Sequence, residues 1–309
     1  MDPVLDTLSA AASGERVAIG SDLTRVLASI TPDKLQLLVI DAPLAPPGAL
    51  EVVMSVCPHV RAIVVTEIVS EAQLVSAIRM PRLVGFLART AAGIRHWELG
   101  YLVRRLLHPQ GPGPTATDLL PWWSAVRRFS PRTPRDLERV PRAVDLACGW
   151  FRQPETVADL AGRAAQVLAT NAMYHAPRDA DGAPRYAPDF RPDALADDEV
   201  PEVTLACDGH RVVVEARDRF GHLPRERVFA GLLRPEAAAA HAGLTEHRSG
   251  LGFFRLFYSA SALRIDVTPG RETLVSWVHE EGVTRRTHQG QGRSVYVVGP
   301  AAPDQSREG

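Results

Sequence analysis

Three short segments in the second half of this 309-residue chain carry groups that could hold a charged, hydrogen-bonding ligand. Asn171, in Thr170-Asn-Ala-Met-Tyr-His175, stands at the C-terminal end of a helix-patterned stretch. Its amide oxygen is the hard donor that Mg²⁺ takes while bridging phosphate oxygens. Asp218, in Arg217-Asp-Arg-Phe-Gly221, directly follows a strand pattern, where a carboxylate can accept a hydrogen bond from an exocyclic amine such as that of adenine. The glycine behind it, Gly221, lets backbone come close to a ring. Ser249-Gly-Leu-Gly-Phe253 opens a helix, and Gly250 and Gly252 leave its first N–H groups as a cradle for phosphate. Taken singly, each is also ordinary structure: a capped helix end, an Asp/Gly turn, a Gly-x-Gly loop.

The elements that must position these groups follow from the pattern around them. A long helix runs from Glu155 to about His175, followed by a Gly/Pro/Asp-rich stretch to Pro201. Two strands, Val203 to Cys207 and Arg211 to Ala216, flank Asp208-Gly209, a two-residue hairpin signal. After Asp218 come a loop and short helices to about residue 247. A helix from about Gly252 to Ala260, a strand Ala262 to Val267, a Pro269-Gly270 turn and a strand Thr273 to His279 complete the region. The segment from Glu280 is rich in Gly, Gln, Arg and Pro and reads as a flexible tail, apart from Ser294 to Val298, which can pair as a strand.

This order of elements and motifs resembles the GHKL (Bergerat) ATPase fold of gyrase B, sensor histidine kinases and anti-sigma-factor serine kinases. The resemblance covers residues 154–279 and implies an α/β sandwich with a mixed sheet, using ATP and Mg²⁺. It matches Asn171 to the Mg²⁺-binding asparagine, Asp218 to the adenine-reading aspartate and Gly221 to the glycine after it. Gly250 and Gly252 match the second glycine box, and Thr273 the threonine that lies near adenine. The stretch between Gly221 and Gly250 is then the ATP lid. Three positions depart from the family pattern. Val167 stands where the family has an acidic or amide residue, and neighbouring Gln166 points about 100° away on a helix. Arg248 and Arg219 replace glycines. A valine can neither take a proton nor orient a water, so binding is better supported than phosphoryl transfer.

Residues 1–92 alternate helix and strand. Helices are expected at Val4 to Ala12, Asp22 to Ile30 and Leu50 to Cys57, with a further helix opened by a Ser70…Gln73 capping box. Strands are expected at Arg16 to Ile19, Leu35 to Ile40, Ala62 to Thr66 and Leu83 to Leu87. Such alternation means a parallel sheet with crossover helices. The region resembles a flavodoxin-like response-regulator receiver. Asp41, at the end of LQLLVI, matches its phosphoacceptor, Thr66 its switch hydroxyl, and Arg89 its switch lysine. The family's first strand and its acidic pair are not in the chain, which implies either a natural start upstream of Met1 or a degenerate receiver with a rearranged sheet.

Residues 93–153 read as a helical linker dense in arginine, broken at Gln110-Gly-Pro-Gly-Pro114 and Pro131 to Pro134. His96-Trp97-Glu98 lacks the Arg-Thr-Pro that follows a phosphoacceptor histidine. With 35 basic against 36 acidic residues, no global field draws the chain to nucleic acid, and no helix-turn-helix pattern accompanies the arginines. No apolar run approaches the roughly 20 residues of a membrane span. Cys57, Cys148 and Cys207 show neither metal nor disulfide spacing, which with the missing signal peptide reads as cytoplasmic. Together these features predict a bacterial two-component or phosphorelay-type signalling protein, with a receiver-like input and a kinase-like ATP-binding output. Its expected partner is a kinase, a sigma-factor regulator or a response regulator, and a homodimer is compatible. The alternative is a non-catalytic adaptor that binds nucleotide, a regulatory partner, or both.

Overall fold

The computed structural model describes residues 3–12, 15, 17–18, 20–45, 48–108, 115–120, 124–179, 181–187, 190–233, 250–280 and 292–299. The chain divides into two compact units, residues 1–112 with 291–309, and residues 113–290. Both are mixed α/β.

The first unit begins with α1 (Pro3–Ala12) and α2 (Leu23–Ala28), the latter capped by Asp22, whose side chain accepts from the Arg25 amide. There follow β1 (Leu37–Asp41), α3 (Ala49–Val56), β2 (Arg61–Thr66), α4 (Glu71–Arg79) and β3 (Leu83–Thr90). A two-residue strand, β4 (Gly93–Ile94), and α5 (His96–Leu107) complete this run. The capping box expected at Ser70 is formed in full, with Gln73 answering the Ser70 amide. β1, β2 and β3 lie side by side and parallel, as the alternation predicts. β2 and β3 are buried almost throughout, whereas β1 alternates between buried and half-buried residues. Among the described residues β1 has a strand neighbour on one side only. The expected strand at Arg16 to Ile19 is not formed at Val17 and Ala18, which are exposed coil; Arg16 and Ile19 lie outside the described residues.

In the second unit a short 3-10 turn, Ala116–Leu119, precedes the first strand, β5 (Ala125–Phe129), so the stretch 93–153 is not wholly helical. Arginines at 127 and 128 hide this strand from a periodicity reading, because it is an edge strand whose side chains are largely exposed. Next are α6 (Pro134–Trp150), α7 (Glu155–Thr170), β6 (Glu202–Cys207), β7 (Arg211–Asp218) and α8 (Arg225–Leu232). Then come α9 (Gly250–Ser259), β8 (Ala262–Thr268) and β9 (Glu272–Glu280). The strand order is β8-β9-β7-β6-β5, antiparallel throughout. The Asp208-Gly209 hairpin is present: Gly209 adopts φ +94°, and Asp208 Oδ1 accepts from the amides of His210 and Arg211. α7 packs on this sheet and on α6.

The last strand, β10 (Ser294–Val298), returns to the first unit and pairs antiparallel with β3. That sheet is therefore mixed rather than wholly parallel, and the segment after residue 280 contains a fully buried strand. Two glycines make this docking possible. A Cβ at Gly85 would lie 2.2 Å from the Val295 carbonyl oxygen, and one at Gly292 would lie 2.8 Å from that of Glu67. A buried polar knot adds to it. Ser294 Oγ accepts from the Ala88 amide and donates to Glu98 Oε2, both at 2.9 Å, and Arg95 pairs with the same carboxylate.

Candidate functional site

Asp218 closes β7, and Thr273, second in β9, is its cross-strand partner. A carboxylate and a hydroxyl thus lie side by side on one face of the sheet, although 55 positions separate them in the chain (273 less 218). Asp218 Oδ1 accepts from the amides of Phe220 (2.9 Å) and Gly221 (3.3 Å), a local turn that fixes the side chain. Burial pushes the Asp218 carboxyl above the ordinary aspartate range, held back by those two amides and by Thr273. The Thr273 hydroxyl is itself buried and near enough to act on this carboxylate, yet it forms no hydrogen bond of proper geometry.

Facing them across a cleft is the end of α7. There the helix widens into a single π turn, Asn171–His175, closed by the Ala176 amide donating to the Asn171 carbonyl. Such turns redirect side chains and are frequent at functional sites. The cleft holds about 630 Å³ of empty space, part of it continuous with solvent, and its lining includes Asn171, Asp218 and Thr273. Phe253 of α9 and Leu168, Ala216 and Val275 give it an apolar floor.

The predicted glycines do different work. Gly221 does not line the cleft. It adopts φ +63°, and a Cβ there would lie 2.1 Å from the Thr268 carbonyl oxygen and 2.9 Å from the Gly270 amide nitrogen. Its smallness serves the packing of the Asp218 turn against the β8–β9 turn, not the approach of backbone to a ring. Gly252 brings α9 against α7: a Cβ there would lie 3.2 Å from Val167 Cγ1 and 3.9 Å from Asn171 Nδ2. Gly250 is the first residue of α9, so the first amides of that helix, which have no acceptor within the helix, start beside Asn171. Arg248, Ser249 and the lid from residue 234 onward lie outside the described residues. Val167 is half-buried against Gly252, and Gln166 is exposed on another side of α7.

Sequence reasoning missed four polar residues of the cleft. His175, Arg178, His222 and Arg227 all line it. Arg178 and His222 sit in irregular segments and Arg227 in a short helix, where no periodicity or motif marks a side chain as inward. Arg178 is placed by a loop that the chain fastens with Glu199. That buried carboxylate accepts from Tyr186 Oη (2.6 Å), the Ala196 amide (2.8 Å) and Arg185. Burial pushes Glu199 up, but these bonds outweigh it and hold the group below its ordinary value.

In the first unit Asp41, Thr66 and Arg89 come to the same end of three adjacent strands. Arg89 Nη2 is 2.7 Å from Asp41 Oδ2, in a pair about one-third exposed on each side. The Thr66 hydroxyl donates to the Ile68 carbonyl at 2.9 Å and not to Asp41. Among the described residues no three His, Cys, Asp or Glu side chains cluster as metal ligands, and no helix is long and apolar enough to cross a membrane. The three cysteines are buried and unbridged.

Compared with protein-family models and with curated proteins, the chain matches none in either set.

Proposed function

We propose that residues 113–290 bind an adenine nucleotide in the manner of GHKL ATPases. We also propose that the chain is a bacterial signalling protein whose first unit is a receiver-like docking input for a regulatory partner. The observation that carries this is the convergence of Asp218, Thr273 and Asn171 on one cleft, with the start of α9 beside Asn171. The carboxylate would accept from the exocyclic amine, the apolar floor would take the ring, and the α9 amides would face phosphate oxygens. Asn171 offers a single neutral oxygen, which suits a Mg²⁺ ion carried in on the phosphates and not a protein-built metal centre. When bound, the ion would neutralise phosphate charge. ATP with Mg²⁺ should raise the midpoint of thermal unfolding of the whole chain, by mass action on the folded state. Asp218→Asn should lose that response, and an equal rise in both proteins would remove the cleft as the site.

In an active member of this family the γ-phosphoryl group would pass to a serine, threonine or histidine of the partner. The adaptor reading is favoured by Val167, whose place beside Gly252 puts a hydrocarbon where that chemistry uses a base or a water-orienting group. In the first unit the Arg89 guanidinium engages the Asp41 carboxylate, which supports docking over phosphorylation. Labelled ATP and cell extract separate the two readings. An adaptor retains ATP and labels no protein at stoichiometric amounts, whereas a phosphorylated partner restores the kinase.

A further inference from the structure

Two guanidinium groups in the cleft are used neither by the purine contact nor by the α9 amides. Arg178 comes from the loop after the π turn and Arg227 from α8, and both are half-buried lining residues of the cavity that holds Asp218. Arg178 Nη1 donates only to the carbonyl of the preceding residue, Pro177, at 3.2 Å. Among the described residues it has no ion-pair partner. The acidic groups nearest in effect are Asp218 and Asp179, and both are held by backbone amides: Asp218 Oδ1 by Phe220 and Gly221, Asp179 Oδ1 by Asp181 and Ala183. Desolvation lowers the pKa of both arginines, and the charge of Arg227 lowers that of Arg178 further. For Arg178 the cost of desolvation and the like charge of Arg227 outweigh the pull of Asp218 and Asp179, so an anion entering the cleft would relieve it. In the same cavity the buried hydroxyl of Thr273 forms no hydrogen bond of proper geometry.

We infer that Arg178 and Arg227 form an anion subsite in the cleft, so that it selects phosphorylated nucleotides over the bare nucleoside and does so without a divalent cation. This rests on the nucleotide reading above and extends it to two residues outside its motifs. Guanidinium forks pair with phosphate oxygens bidentately, and an arginine cannot be deprotonated to escape the charge, so the preference persists when metal is withdrawn.

The test is calorimetric titration of the full-length chain with adenosine, ADP and inorganic pyrophosphate, each in Mg²⁺ and in EDTA. Wild type should bind ADP more tightly than adenosine in both buffers. Arg178→Ala and Arg227→Ala should each weaken ADP about tenfold while leaving adenosine within about twofold. Arg178→Lys, which keeps charge and bulk but loses the fork, should fall between, and it serves if the alanine variants fail to fold. Asp218→Asn should weaken adenosine and ADP together. Equal losses for adenosine and ADP in the arginine variants, or an ADP preference that vanishes in EDTA, overturn the subsite and leave the purine pocket standing. Arginine-dependent binding of pyrophosphate with no binding of adenosine keeps the subsite and rejects the purine reading. No binding of any of the three probes overturns both.

Discussion

Each unit presents an aspartate at the end of a strand, and the two are handled in opposite ways. Asp41 is about one-third exposed and its charge is met by Arg89 at 2.7 Å, so its own chain already satisfies it. Asp218 is buried, and its described hydrogen bonds come from backbone amides, which fix its geometry without cancelling its charge. Beside it lie a hydroxyl that forms no hydrogen bond of proper geometry and a cleft with an apolar floor. A neighbouring cation balances the charge of the first carboxylate, whereas amides hold the second in place at the edge of a cavity. The contrast separates a paired surface carboxylate from one buried at the edge of a cleft, even though both aspartates sit at matching places on a strand.

The strongest way to break that contrast is to remove the device that shapes Asp218. Gly221→Ala should destabilise the second unit by about 3 kcal/mol or more, because a methyl group would enter the Thr268 carbonyl oxygen at a left-handed residue. Urea unfolding read by far-ultraviolet circular dichroism measures it, and a loss below about 0.5 kcal/mol would mean that the turn does not pack as described.

Glu199→Gln should cost about 2 kcal/mol at neutral pH, since it weakens bonds from Tyr186, the Ala196 amide and Arg185 to a buried charge. The net shift of Glu199 is downward, so its stabilisation is complete above the ordinary value of 4.5 and fades as pH falls through the lower folded value. The gap between wild type and variant should therefore narrow in acid; a gap that is constant or widens would show that ionisation is not what the network stabilises.

In the first unit, Ser294→Ala should cost about 1–2 kcal/mol by leaving the buried Ala88 amide without its acceptor. Hydrogen exchange along β3 and β10 reads this locally, and unchanged protection at Ala88 would contradict the knot. The smallest effect belongs to Arg89→Ala. An ion pair this exposed is worth about 1 kcal/mol or less, and less again in high salt. A larger, salt-independent loss would make the Asp41 pair structural and blur the distinction between the two aspartates.

Much of this was legible in the residues. Asp208-Gly209 announced its hairpin, because few dipeptides adopt that turn, and Ser70…Gln73 announced a helix start, because the capping bonds are local. The β1, β2 and β3 runs were visible as blocks of apolar residues. What stayed hidden depends on partners distant in sequence. β5 is an edge strand bearing Arg127 and Arg128, and its only signal is the strand it pairs with, β6. Gly221 was read as room for a ligand, whereas its neighbour is the turn at Thr268, 47 positions on (268 less 221). Arg178 faces the cleft from a loop fastened elsewhere, including at Glu199, and Arg227 from the short helix α8, and no spacing rule encodes either.

The most direct measurement is a crystal structure of the full-length chain with a non-hydrolysable ATP analogue and Mg²⁺. The account predicts the exocyclic amine of the purine within about 3.2 Å of an Asp218 carboxylate oxygen, with phosphate oxygens toward the first residues of α9. An analogue seated outside this cleft, or inside it with its purine turned away from Asp218, would contradict it.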